Sequence, residues 1–294
     1  MRNCPVCGEE GHERLGRRGG DAHRSGLGTP AHVVRCRGCH LVYSRPTLIP
    51  IGNPYAAYAG DDYFHGQHLD AKQQEGRSLI ARAEHFLGRK GRLLELGCGR
   101  GDLLAMAAEN GWTVQGVEMT PEFAKQARSQ GIPVEESPIE SSTLLEQDEA
   151  FDVVYLAAVL EHLYDPVSCL KRVRRALVPG GLVFIDVPNE CSVRTQLGNL
   201  YMRFRGRDWA VNLSPTFPPF HVVGFCPRSL SRALREAGLD IAELLEVAWP
   251  DALPPRPGLW GFLEAAGAKA VNRTSARLGS GDGIVCWGRK PIRA

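Results

Sequence analysis

From Gly91 onward, apolar runs of strand length alternate with stretches whose apolar residues recur at helical spacing. Arg92–Leu96 predicts a strand, Leu103–Glu109 a helix and Trp112–Val117 a second strand; Ile241–Ala248 and Gly283–Gly288 predict two more near the end. The longest apolar stretches, Val153–Leu160 and Gly181–Ile185, predict buried core strands, because both fall far short of the roughly 20 residues needed to cross a bilayer. Alternation of this kind predicts a doubly wound α/β sheet. Upstream the pattern changes: Glu9–Thr29 is rich in Gly and Arg and predicts a hairpin, and Gln74–Phe86 predicts a helix.

Composition adds little until the cysteines are placed. The 294 residues carry a net charge of +2, which excludes a disordered, highly charged chain. Met1–Pro5 lacks the apolar centre of a signal peptide, so a cytoplasmic protein is expected, with no membrane span. Of nine cysteines, four form two pairs, Cys4-Pro-Val-Cys7 and Cys36-Arg-Gly-Cys39. In a reducing compartment such pairs are thiolate metal ligands before they are disulfides. Two C-x-x-C turns bring four thiolates to one tetrahedral zinc, a closed site with no position left for water and hence a structural role. The nearby His12, His23, His32 and His40 are expected on surface loops. Eight arginines against four acidic residues leave Met1–Arg45 at +4, compatible with a phosphate-bearing partner without demanding one.

The first strand runs directly into Gly97-Cys98-Gly99-Arg100-Gly101-Asp102, and the second ends at Glu118. Glycines at a strand-to-helix turn admit a ligand to the backbone, and an acid at the next strand end accepts hydrogen bonds from ribose hydroxyls. The third glycine comes one residue early for a dinucleotide site, and no Gly-Lys-Ser/Thr closes a phosphate loop. A nucleoside-type ligand without a pyrophosphate remains, and S-adenosylmethionine fits that description.

The motifs from Leu94 to Asn189 resemble those of the class I S-adenosylmethionine-dependent methyltransferases. Leu94–Gly101 resembles the first motif and Val117–Glu122 the acidic end of the second strand. Phe151–Tyr155 with Val159-Leu-Glu-His-Leu163 and Asp165-Pro166 resembles the fourth strand and the helix after it, and Leu177–Asn189 the fifth strand with its preceding turn. The resemblance implies a Rossmann-like, mostly parallel seven-stranded sheet. It also implies that Glu95 and the Gly97–Gly101 turn, with Cys98 and Gly99, line the methionine part of the cofactor. Glu118 would take the ribose, Met119 an adenine face, Pro138 and Ile139 its edge, and Ala157 the far wall. Arg77 would reach the carboxylate, with Arg82 as the alternative on the same helix. Tyr63, in the aromatic-rich Pro46–Asp70, is expected to cover the cofactor.

These readings divide the chain into a Cys4 ribbon (1–48), a linker with a cofactor-covering helix (49–90) and a methyltransferase domain (91–294) with lid insertions at 191–220 and 250–280. The first insertion, Cys191–Phe220, is expected to be an irregular, aromatic-rich wall of the acceptor pocket. A base is needed only when the acceptor must lose a proton, and His162 and His221 are the candidates. Glu161 could serve instead through a neighbouring interaction. Phe220 stands where a carboxylate could have oriented His221. No Asn/Asp-Pro-Pro-aromatic motif comes after the fourth strand, which disfavours adenine N6 methylation. The expected reaction is methyl transfer to O, C or N of a small molecule, a sugar or natural-product intermediate, because a paired-cysteine ribbon ahead of this core resembles sugar and natural-product methyltransferases. Two alternatives stay open: an RNA methyltransferase holding phosphates through Arg14, Arg17 and Arg18, and a non-catalytic cofactor-fold protein. The sequence does not indicate an oligomeric state.

Overall fold

The computed structural model describes residues 3–47, 69–248 and 280–292, with the isolated Gly258 and Gly267. Residues 48–68, Tyr63 among them, and nearly all of the 250–280 insertion lie outside the described residues.

Strands β4 (Arg92–Leu96), β5 (Thr113–Glu118), β6 (Val134–Glu136), β7 (Phe151–Ala157), β8 (Leu177–Pro188), β10 (Asp240–Val247) and β11 (Gly283–Arg289) form one seven-stranded sheet. Its order is β10-β11-β8-β7-β4-β5-β6, and only β11 runs against its neighbours. The central strand β7 is buried from Phe151 to Leu156, as a parallel strand covered on both faces must be. Helices α2 (Asp102–Glu109), α3 (Pro121–Ser129) and α4 (Pro166–Ala176) make the crossovers. Asp165 caps α4, accepting from the Ser168 amide at 2.9 Å, with Pro166 at the first helical position.

Two apolar layers result from the alternation of side chains. Leu93, Tyr155, Phe184 and Trp287 lie under α1 (Leu69–Leu87), where Trp287 meets the Phe184 and Tyr155 rings at 5.0 and 5.7 Å. The buried Tyr155 hydroxyl donates to the Leu79 carbonyl at 2.9 Å, which fixes α1 on the sheet. On the opposite face Leu94, Leu96, Val154 and Ile185 pack with α4 and α6 (Pro227–Glu236). That layer continues without a break into Val6, Val34, Leu41 and Tyr43 of the amino-terminal segment.

The amino-terminal sheet consists of β1 (His12–Arg18), β2 (Ala31–Cys36) and β3 (Val42–Ser44); β1 and β2 pair antiparallel, so only the first strand of the hairpin falls within Glu9–Thr29, where the sequence predicts the hairpin. His12 and His32 lie on these strands rather than on loops. The fourth strand, β9 (Val223–Gly224), lies just beyond the first insertion and pairs antiparallel with β3. That insertion is not irregular throughout: α5 spans Val193–Phe204, capped by Ser192, whose hydroxyl accepts from the Thr195 amide at 3.2 Å. Its Leu197, Leu200, Tyr201 and Phe204 are exposed, so apolar periodicity here marks a helix without marking a buried face.

Candidate active site

The order of the sheet reverses at β4, whose neighbours are β5 on one side and β7 on the other; a crevice opens at the carboxyl ends of such strands. The Gly97–Gly101 turn stands there. The amides of Gly97 and Cys98 donate to the Val117 carbonyl at 2.8 and 3.1 Å, which ties the turn to β5. Gly97 and Gly101 have φ of +71° and +81°, and a Cβ on them would come within 2.9 Å of Val159 Cγ2 and 3.0 Å of Ala127 Cβ. Any side chain at Gly97 is therefore opposed by both backbone and neighbour.

Glu118, buried at the end of β5, receives the Gly99 amide on Oε2 at 2.9 Å and the Thr120 amide on Oε1 at 2.8 Å. Both oxygens keep a lone pair for further donors such as ribose hydroxyls. Glu95 lies in β4 in register with Tyr155 of β7. Met119 and Ala157 are half-buried at the ends of β5 and β7; Ile139 is half-buried and Pro138 exposed at the short helical turn after β6. Cys98 faces away from the crevice: its thiol lies where a Cβ on Gly116 would be only 2.6 Å from sulfur, and burial raises its pKa. Arg77 is exposed on α1, and Arg82 on the same helix is paired with Glu243.

The turn after β7, Leu160–His162, stands at the carboxyl end of the strand next to β4. The Glu161 carbonyl accepts from the Val222 amide at 2.9 Å, drawing His221 to the same place, and the His162 and His221 rings meet edge-on at 4.9 Å. Thus the two candidate bases, 59 positions apart in the sequence, form one cluster. Glu161 lies between them at 1% exposure, its Oε1 4.0 Å from His162 Nε2 and 3.9 Å from His221 Nε2. Neither carboxyl oxygen has a hydrogen-bond partner among the described residues, and burial with the nearby Asp186 pushes its pKa up to about 8. Burial and then the His162 ring push His221 down to about 3, and burial lowers His162. Asp186, at the end of β8 in register with Ala157, is raised to about 7 by burial and then by Glu75. In the sequence Asp186 carries no signal of its own, being one more residue of an apolar strand.

In the ribbon, Cys4, Cys7, Cys36 and Cys39 place their sulfurs within 4.8 Å of one another, with Cys4–Cys39 and Cys7–Cys36 each at 3.5 Å. Four sulfurs so spaced suit one tetrahedral ion. Arg228, Arg232 and Arg235 of α6 line a hollow beside Cys7 and Cys39. Arg14 is paired with Asp208, Arg17 with Asp21 at 3.0 Å, and Arg18 donates to the Leu213 carbonyl at 2.9 Å under the Phe217 ring.

Residues 69–244 match the family model described as "Methyltransferase domain". The chain belongs to the class I S-adenosylmethionine-dependent methyltransferases. This methyltransferase is 30% identical over 175 residues to a ubiquinone biosynthesis O-methyltransferase of Nitrosospira multiformis, covering 56% of the chain and 71% of the relative. It is 31% identical to one from Pseudomonas syringae pv. tomato, covering 58% and 72%. A structure of 1,6-didemethyltoxoflavin-N1-methyltransferase from Burkholderia thailandensis, with S-adenosylhomocysteine bound, shares the fold at 20% identity and a TM-score of 0.50, covering 87% of this methyltransferase and 97% of that chain. A SAM-dependent methyltransferase from Archaeoglobus fulgidus does so at 19% and 0.51, covering 81% and 100%. Among the described residues of the methyltransferase, no helix is long and apolar enough to cross a membrane.

Proposed function

We propose that this methyltransferase acts on a small molecule, a sugar or natural-product intermediate, with a hydroxyl as the favoured acceptor over carbon or nitrogen. The Glu161–His162–His221 cluster at the carboxyl end of β7, beside the glycine turn, carries the reading, because a hydroxyl must lose its proton to become a competent nucleophile. The relatives' name, O-methyltransferase, supports oxygen.

The crevice suits S-adenosylmethionine: the left-handed Gly97 and Gly101 leave a cradle that a Cβ would fill, and Glu118 is anchored with acceptor capacity to spare. In this assignment Glu95 and Gly97–Gly101 hold the methionine part, Glu118 the ribose, and Met119, Pro138, Ile139 and Ala157 the adenine, with Arg77 and Tyr63 toward the carboxylate and the sulfonium. When bound, that cofactor supplies an electrophilic methyl group on sulfur. The protein holds the acceptor in line, excludes water and receives the proton at an imidazole nitrogen. Zinc in the four-thiolate site is structural and secures the acceptor-side wall through β3 and β9.

The RNA reading loses support, since Arg14 and Arg17 are ion-paired within the chain and Arg18 is turned onto Phe217. Calorimetry with S-adenosylmethionine, followed by transfer of labelled methyl to a panel of phenols, sugar nucleotides and polyketides, tests the proposal. Cofactor binding plus label in a hydroxyl-bearing acceptor is expected. Binding without transfer to any acceptor returns the non-catalytic reading, and label appearing only in RNA returns the other.

A further inference from the structure

The two imidazoles at the acceptor side have different surroundings. His162 Nδ1 lies 3.3 Å from the Phe220 carbonyl oxygen. A carbonyl can only accept, so Nδ1 carries the proton; the Pro219 carbonyl also acts on the ring, and Nε2 is the nitrogen nearer Glu161. The His162 ring is thereby held by backbone carbonyls of the segment before His221. His221 is placed differently: its backbone amide donates to the Ser214 hydroxyl at 3.2 Å, its Nε2 faces Glu161 Oε1 at 3.9 Å, and its Nδ1 has no partner among the described residues.

Glu161 links the two. A buried carboxyl lacking any hydrogen bond is costly, so its oxygens are expected to find donors or acceptors within reach. Here the imidazole nitrogens stand about one ångström beyond hydrogen-bond distance, a gap that commonly tightens when a site is filled. The neutral carboxyl can donate to His162 Nε2 and accept from His221 Nε2–H.

Resting on the methyl-transfer reading above, we propose that the histidines divide the work. His221 is the proton acceptor, presenting Nδ1 to the substrate; Glu161 is the positioning residue that fixes its tautomer through Nε2; and His162 is a strut that holds the lid at Phe220. The logic is that of a buried acid orienting a histidine, reached from a separate element. The acid that the residue before His221 does not supply comes instead from the turn after β7, as a neutral carboxyl. Of the elements packed against that turn, β8 contributes one facing titratable group, Asp186, and β9 contributes Val223 and Gly224, which do not titrate. Asp186 adds negative potential, which keeps the Glu161 proton in place.

The tautomers can be read without knowing the acceptor. Nitrogen-15 NMR of the imidazoles in the full chain should show His221 protonated on Nε2 and His162 on Nδ1. Glu161→Leu should shift the His221 ring toward a tautomer mixture and leave His162 unchanged, while Glu161→Gln, whose amide oxygen still accepts, should restore the wild-type His221 signals. A proton on His221 Nδ1, or His221 signals indifferent to Glu161→Leu, would overturn the assignment. So would broadening of both rings by substoichiometric manganese(II) that vanishes in Glu161→Leu, which would make the cluster a cation site. Cofactor calorimetry on the same samples separates the two levels: failure to bind S-adenosylmethionine defeats the methyl-transfer reading, whereas binding with the wrong tautomers defeats only this one. With an acceptor from the panel, His221→Gln should lower kcat by about 10²–10⁴-fold. His162→Gln should chiefly raise KM.

Discussion

Gly97 concentrates two constraints on one α-carbon: its φ of +71° lies in the left-handed region, and a Cβ there would press on Val159. Gly97→Val should therefore abolish cofactor binding in calorimetry, by at least about 100-fold in Kd, which corresponds to about 2.7 kcal/mol. An affinity within tenfold of wild type would contradict the placement of the cofactor at this turn. The buried carboxyls give a second residue-level prediction. Glu161, Asp186 and Glu190 are raised to about 8, 7 and 8 by burial, so the folded chain keeps protons that the unfolded chain releases near pH 4. Their contribution is intact at low pH and is lost as pH rises through 7 to 8. His221 acts oppositely, losing stability as pH falls from 6.5 toward 3. Above pH 6.5 the carboxyl effect is unopposed by His221, so Tm should fall between pH 6.5 and 9. Glu190→Gln, which keeps a partner for Asn212, should flatten that fall; a parallel curve would show that Glu190 does not contribute.

Elements differ in how openly the sequence declares them. β4, α2 and β5 were legible because a buried parallel strand, a glycine turn and a terminal acid leave three separate marks on a short stretch. α5 was not, since its apolar residues point outward and its aromatic content mimics a pocket wall. The Ser192 to Thr195 capping bond was the available signal. Both histidines were identified, but their meeting was not, because it depends on one backbone bond from Val222 to Glu161 that leaves no periodicity behind. Packing supports a further prediction for α1. Trp287, 2% exposed, is the floor on which α1 rests, so Trp287→Ala should cost about 3–5 kcal/mol in denaturant unfolding. Hydrogen exchange should loosen first along Leu79–Phe86, and a cost below about 1 kcal/mol would show that α1 is held by other contacts.

Across the whole molecule, the four-cysteine site and the His221 segment are mechanically joined, because β9 completes the ribbon sheet two residues after His221. Metal analysis should return one zinc per chain. Chelation, or Cys36→Ser, should lower Tm and increase exchange at Val222–Phe225, while cofactor affinity at the distant glycine turn changes little. Unchanged exchange there after zinc removal would uncouple the two regions. A zinc centre with four thiolates would carry a net −2 charge; Arg228 and Arg235 of α6 line the hollow beside it with Glu9, while Arg232 there is paired with Glu236 at 2.6 Å.

The pairing of Tyr43 with Val223 and of Val42 with Gly224 also sets an order of events at birth. Sequence separations of this size make for slow closure. Strands β1–β3 leave the ribosome before β9, so their sheet keeps an open edge at β3 until Val223 and Gly224 have been synthesised, and such an edge invites pairing with other chains. The nascent protein is thus most vulnerable to aggregation during synthesis of its own catalytic core, and metal captured early by the two cysteine turns would limit that exposure.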